Sequence, residues 1–312
     1  MNQSYLKTPV VLIIFNRPDS TEKVFATIRQ AKPQKLFVIS DAPRPDKPGE
    51  AEKCAATRAL IEGVDWDCEV FTNYSDVNLG CGKRISTGIS WVFDQVEEAI
   101  ILEDDCLPHP TFFRYCEELL DKYRDELRVM SICGIAVEKS TRDFSYYFSH
   151  YFNCWGWATW RRAWYHYDYQ MKHWPEILET GWLDEFLQDR QIVQDWTRRF
   201  NKAYHGLSSS YTWSYQLQFA CWRQNALVIR SNSNLISNLG YGIGAAHTNN
   251  PKDKLANLSL EPISFPLKHP TEITRDLQAD DLIKKSMVRD YKRSKNLLIR
   301  GYRKIRKILN IN

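Results

Sequence analysis

"AIILEDDCLPHP", residues 99–110, runs from four apolar residues straight into Glu103, Asp104 and Asp105. Adjacent carboxylates repel one another and gain nothing from a core. Either the strand ends in water before a proline turn, or something cationic meets the acids there. In both cases "CLPHP" stops the strand and lets the chain turn away.

The residues upstream decide what kind of strand this is. "VVLIIF" (10–15) and "KLFVIS" (35–40) flank an amphipathic "DSTEKVFATIRQA" (19–31), which Asp19 or Ser20 can cap. A polar loop "DAPRPDKPGE" follows, then helical "AEKCAATRALIEG", strand-like "CEVFTN", helical "KRISTGISWVFDQVE" and the strand "AIIL". Strand, helix, strand in repetition predicts parallel pairing through right-handed crossovers, with helices on both faces of the sheet. Ligands of such sheets sit beyond the carboxyl ends of the strands. Asn16 and Arg17 follow the first strand, Asp41 the second, and Glu103, Asp104 and Asp105 the fourth.

The 312 residues, 43% of them hydrophobic, suffice for one large core or two modest ones and exclude a disordered chain. Eight cysteines without a C-x-x-C pair suggest neither a zinc site nor a disulfide framework, so a reducing cytoplasm is the expected setting. "VVLIIF" is too short for a signal-peptide core or a membrane span. The net charge of +4 is uneven: Lys284 to Lys307 holds eleven Lys or Arg against one Asp, about +10, leaving about −6 for the rest. In "NLLIRGYRKIRKILNIN", Leu298, Tyr302, Ile305 and Leu309 recur at helical spacing among cations. Such a helix suits an anionic membrane surface, a solvated charged tail being the alternative. No recognition motif accompanies the charge, so nucleic acid is not the expected partner.

Neither G-x-x-x-x-G-K-[ST] nor G-x-G-x-x-G occurs, which sets aside a P-loop and a dinucleotide fold. Carboxylates held side by side are tolerable when a hard cation neutralises them. Magnesium or manganese takes only one or two protein carboxylates, with phosphate oxygens and water completing the shell. A nucleotide diphosphate with a divalent metal is therefore the expected ligand.

"TPVVLIIFNRP", the "ISD" ending at Asp41, the "NLG" at 78–80 and "AIILEDDCLPHPTFFRYC" together resemble the nucleotide-sugar half of a GT-A-fold glycosyltransferase, with "EDD" in place of the metal-binding D-x-D motif. The chain is similar to the N-acetylglucosaminyltransferase I type, and more closely to bacterial nucleotide-diphospho-sugar transferases. The likeness continues through "FNCWGWATWRRAW" and "YTWSYQLQFACWRQNALVIRSNSNLISNLGYGIGAAHT", covering about residues 8–248. It implies an α/β GT-A architecture: a Rossmann-like, mostly parallel sheet flanked by helices. Residues 1–110 would form the nucleotide-sugar half and 111–265 an aromatic-rich acceptor half of the same domain; the likeness stops before the tail, and charge and spacing make 266–312 a basic helical extension.

The resemblance further implies that Asp105 ligates Mn2+ or Mg2+, while Glu103 and Asp104 contact ribose, sugar or metal-bound water. Arg17 and Asp41 would hold the nucleotide, Asp41 through the uracil imide, and Lys83 would meet a phosphate. Taken singly, Asp41 equally suits a turn-initiating role and Arg17 a surface ion pair. Nine of the eleven Trp lie between 155 and 222; such rings are core by default, yet sugars stack on aromatic planes, and Trp157 and Trp213 are the candidates for a cleft. His247, in "GYGIGAAHT", is either structural or part of a loop closing on the diphosphate or metal. Related sequences carry an Asp after the Trp of "TWSYQL", the base for an acceptor hydroxyl in an inverting transferase; here Ser214 stands there, and a serine is no base near neutral pH. Asp168, Asp184 and Glu185 are unranked replacements. The reading is a UDP-sugar-dependent transferase acting on a glycan or glycoconjugate, cytoplasmic or peripheral at the inner face of the membrane. A nucleotide-sugar-binding protein with weak or lost transfer is the alternative.

Overall fold

The computed structural model of the protein describes residues 5–206, 212–241, 255–256 and 258–288. Its elements are β1 (Val10–Ile14), α1 (Pro18–Ala31), β2 (Lys35–Ser40), α2 (Glu50–Ala59, continued by a 3-10 turn, Leu60–Gly63), β3 (Glu69–Tyr74), α3 (Cys81–Phe93) and β4 (Glu98–Glu103). Then come β5 (Cys106–Pro108), α4 (Thr111–Lys122), β6 (Val129–Cys133), β7 (Tyr146–Ser149), β8 (Trp157–Trp160) and α5 (Arg161–Trp164). α6 (Trp174–Glu179), α7 (Trp182–Leu187), α8 (Arg190–Tyr204), α9 (Ser214–Arg223), β9 (Leu227–Ser231) and β10 (Ile236–Asn238) complete the series, and residues 277–288 are helical.

Eight strands form one sheet in the order β3-β2-β1-β4-β8-β6-β9-β7. The first four are parallel, as the alternation predicts, and β1 and β4 are buried along both faces apart from the outer ends of β4, which is why they read as unbroken apolar runs. Beyond β4 the pattern changes. β8 is inserted antiparallel between β4 and β6, β9 lies parallel to β6, and β7 closes the edge antiparallel. The carboxyl ends of β1, β2, β3, β4, β6 and β9 therefore share one edge. The chain winds outward from β1 to β3, then returns to place β4 on the other side of β1, which makes the β1/β4 crevice the topological switch point. This is a Rossmann-like α/β fold.

Two local expectations are corrected. α1 begins at Pro18 after Arg17, and neither Asp19 nor Ser20 caps it; the missing proline N–H and its fixed φ suit the first helical position, so the helix starts before those residues. "CLPHP" is not simply a turn: Cys106–Pro108 is a strand, paired antiparallel with Ile236–Asn238 in a second small sheet.

Three cores result. α1 and α4 cover one face of the sheet, and α3, α5 and α9 the other. A third core joins α6 to α9 around Trp174, Trp196, Trp222 and Phe200. Ile283 of the 277–288 helix is buried in that third core, with Met287 and Val288 against it. Asp280 of the same helix is fully buried and accepts hydrogen bonds from the Ser149 hydroxyl, the His150 amide and the Arg275 guanidinium. Residues to 288 are thus built into the body. The apolar stripe from Leu298 to Leu309 lies outside the described residues, as does His247.

Candidate functional site

The last rung between β1 and β4 pairs Ile13 with Glu103. One residue further on, the ladder is continued by a side chain: the Phe15 amide donates to Asp104 Oδ2 at 3.1 Å. Arg17 then closes the crevice. Its Nη1 donates to Asp105 Oδ2 at 2.6 Å and to Asp104 Oδ1 at 3.2 Å. The cation that meets the acids in this structure is therefore a guanidinium. Burial alone would lower the Arg17 pKa, but Asp104 and Asp105 override it and hold the group above its usual range. Glu103 and Asp104 are both pushed up, first by burial and then by neighbouring carboxylates, with Arg17 opposing. One guanidinium thus faces three acids, two of which hold their protons more readily than usual.

The second half of the chain completes the surroundings. Trp213 is near enough to Glu103 to lower its pKa slightly against burial, and the next residue, Ser214, begins α9 beside the buried Cys154 thiol, which it affects in the same way. The position of the expected base is thus one residue from a contact of the acid cluster. Asp105 is held from both sides: the Cys106 thiol donates weakly to Oδ1 at 3.5 Å, and the Leu239 amide donates to the Asp105 carbonyl at 2.7 Å. Gly240 lies so close that a Cβ there would fall 2.1 Å from Asp105 Oδ2. Tyr241, next in sequence, packs edge-on against Trp155 with ring centroids 5.8 Å apart. Both rings are half-buried.

Asp41 stands at the end of β2, buried. Its Oδ1 accepts from the Ala42 and Leu79 amides, at 3.0 and 2.9 Å, and its Oδ2 from the Leu79 and Gly80 amides, at 3.1 and 2.9 Å. The carboxylate braces the "NLG" turn into α3 through three backbone donors, the Leu79 amide being shared between its two oxygens. Gly80 has φ +77°, a conformation that favours glycine. Asn16 braces the same rim, donating to Glu50 Oε1 at 2.9 Å. Lys83 is exposed on the first turn of α3.

Trp157 and Trp213 do not line an open cleft. They are 0% and 3% exposed and stack on one another at 5.4 Å within the second core. The reason is topological: Trp157 belongs to β8, opposite Ile101 of β4, so its ring enters the layer between sheet and helices. Asp168 turns back on its own backbone, accepting from the Gln170 and Lys172 amides. Asp184 and Glu185 lie in the first turn of α7, in the helical lobe.

Gly240, Tyr241 and Trp155 were not singled out by sequence reasoning. A signal for the first existed: Asn-Leu-Gly occurs at 78–80 and again at 238–240, and each copy turns against a carboxylate, Asp41 and Asp105 respectively. Among the described residues no three His, Cys, Asp or Glu side chains converge as a ready cage for a metal ion, and no helix is long and apolar enough to cross a membrane.

A Rossmann-like α/β sheet with a charged constellation at its switch point is the class that fold and site define. No family model and no curated protein matches the sequence. Among solved structures, UDP-glucose pyrophosphorylase complexed with UDP-glucose aligns over 46% of this chain at 14% identity with a TM-score of 0.27. HddC from Yersinia pseudotuberculosis aligns over 50% of this chain and 77% of its own at 10% identity with a TM-score of 0.32. The chain spans 62% of the length of the pyrophosphorylase.

Proposed function

We propose that the protein is a metal-dependent glycosyltransferase. It would move a sugar, with N-acetylglucosamine among the candidates, from a UDP-sugar to a hydroxyl of a glycan or glycoconjugate, with inversion at the anomeric carbon. The observation that carries this reading is the meeting of Arg17, Asp104 and Asp105 at the β1/β4 switch point. Hard carboxylate oxygens in excess over one guanidinium suit Mn2+ or Mg2+, and an ion that arrives with a diphosphate needs only one or two protein carboxylates. Asp105 would hold it, with Asp104 and Glu103 behind. When bound, such an ion neutralises the leaving diphosphate as a Lewis acid. The chain's own groups do the rest: the Arg17 fork binds phosphate oxygens, exposed Lys83 adds a cation at the start of α3, and the Trp155–Tyr241 pair offers an apolar wall to a sugar ring.

Ser214 favours a second reading, a nucleotide-sugar-binding protein with weak or lost transfer. Its side chain offers no carboxylate for the acceptor proton. Turnover of UDP-sugars with and without acceptor separates the two, after a donor screen by thermal shift with Mn2+. Ser214→Asp sharpens the test, since a placed base contributes ~10²–10⁴ in rate. A rise in kcat with unchanged donor affinity supports transfer with position 214 facing the acceptor. Absence of UDP-sugar binding, or UDP·Mn2+ affinity in Asp105→Ala equal to wild type, overturns the proposal.

A further inference from the structure

We propose that Arg17 is a built-in counter-cation that keeps free divalent ions out of the acid cluster, so that the site selects a cation delivered with a diphosphate over the same cation alone. The inference rests on the proposed nucleotide-sugar reading and adds a selectivity device to it. Arg17 reaches both aspartates through one nitrogen, Nη1. Asp105 Oδ2 is therefore occupied on one side by the guanidinium, and the Gly240 backbone lies against the same oxygen. Its other oxygen faces the Cys106 thiol. A free cation would have to approach beside a fixed positive charge and take Asp105 from it.

A diphosphate changes that balance. The Arg17 backbone is anchored where α1 begins, its carbonyl accepting from the Thr21 amide at 3.0 Å and the Thr21 hydroxyl at 2.7 Å. Its side chain is 28% exposed, and among the described residues it donates to no partner beyond the two aspartates. The remaining guanidinium donors are available to an anion. Phosphate oxygens match the fork bidentately, which a single Nη1 shared between two carboxylates does not. Drawn towards the diphosphate, Arg17 frees Asp105 Oδ2 while the nucleotide adds negative charge, and both changes favour the cation. Linkage makes the effect reciprocal.

The test is Mn2+ binding followed through the electron paramagnetic resonance of the free ion, for wild type and Arg17→Gln, with and without UDP. Because Mn2+ chelates UDP by itself, the deciding quantity is the Mn2+ affinity of the nucleotide-free protein. It should rise in Arg17→Gln by about 5–150-fold, the usual span of a coupling between sites, while UDP affinity falls. Unchanged nucleotide-free Mn2+ affinity in a folded Arg17→Gln overturns the inference. Should that variant not fold, Arg17→Lys carries the test. A point charge still excludes the ion but holds a diphosphate less well, so nucleotide-free Mn2+ binding should stay at the wild-type level and UDP coupling should drop; retained coupling overturns the inference. Failure of the functional reading looks different: wild type then binds UDP neither with nor without Mn2+, and the inference falls with it.

Discussion

Gly240 shows how a residue without a side chain can hold a functional one. Only hydrogen at its α-carbon leaves room for Asp105 Oδ2, since a Cβ would sit 2.1 Å away. Gly240→Ala should push the carboxylate off the Arg17 fork, costing about 1–3 kcal/mol as an overpacked contact does. UDP·Mn2+ affinity should fall with it, by roughly the 10–100-fold seen when the supports of a metal ligand are lost. Calorimetric titration beside a denaturant melt checks both. His150 is the clearest residue-scale pH effect away from the site. Burial, and next the Arg275 charge, lower its pKa to about 4, and its ring stacks on Phe186 at 5.2 Å. An unfolded His titrates near 6.5. Between these values the unfolded chain binds the extra proton, so this contribution to stability is fully present above about 6.5 and is lost as pH falls towards 4. His150→Gln should flatten the dependence of the urea midpoint on pH across that window; an equal slope in the variant refutes the assignment.

At the scale of elements, the joint between β2 and α3 depends on one buried carboxylate. Asp41 satisfies the amides of Ala42, Leu79 and Gly80, and from the adjoining side Arg58 donates to the Asp41 carbonyl at 2.8 Å and Arg84 to the Ser40 carbonyl at 3.1 Å. Asp41→Ala strands those amides, and an unmet buried donor costs about 1–3 kcal/mol. The urea midpoint should therefore drop, with Asp41→Asn recovering part of the loss through its remaining oxygen. An Asp41→Ala protein of wild-type stability that has lost its preference for UDP over other diphosphates would assign the carboxylate to the base pocket instead.

Across the whole molecule, the helix over 277–288 separates two kinds of C-terminal cut. Ending the chain at residue 282 removes Ile283, buried in the third core, and a fully buried Ile is worth about 1.5–3 kcal/mol, so stability should fall. Ending it at 288 spares that core and removes most of the basic residues between Lys284 and Lys307. If those residues meet an anionic leaflet, each contributes on the order of 1 kcal/mol, screened within a Debye length. The 288 truncation should then leave anionic liposomes while keeping activity on a water-soluble acceptor. Equal sedimentation of full-length and truncated protein with such liposomes removes the membrane reading.

The amino-acid sequence by itself determined β1, β2 and β4 and the helices between them, because a doubly buried strand needs an unbroken apolar run and a covering helix needs its apolar stripe, and both are local; β3, half-exposed at the sheet edge, was legible from its flanking helices instead. Connectivity then put Arg17, Asp41 and Glu103 to Asp105 at one sheet edge, since parallel strands share the direction of their carboxyl ends. Tertiary structure alone decided what those residues do to one another. That Arg17 bridges Asp104 and Asp105 across 87 and 88 positions, that Asp41 accepts from the amides of Leu79 and Gly80, and that Gly240 abuts Asp105 are contacts between distant segments. It also placed β8 between β4 and β6, which turned Trp157 into core and left Trp155 at the rim. Periodicity records which face of an element is buried; it holds no information about which distant segment supplies the partner, and that choice is made by packing.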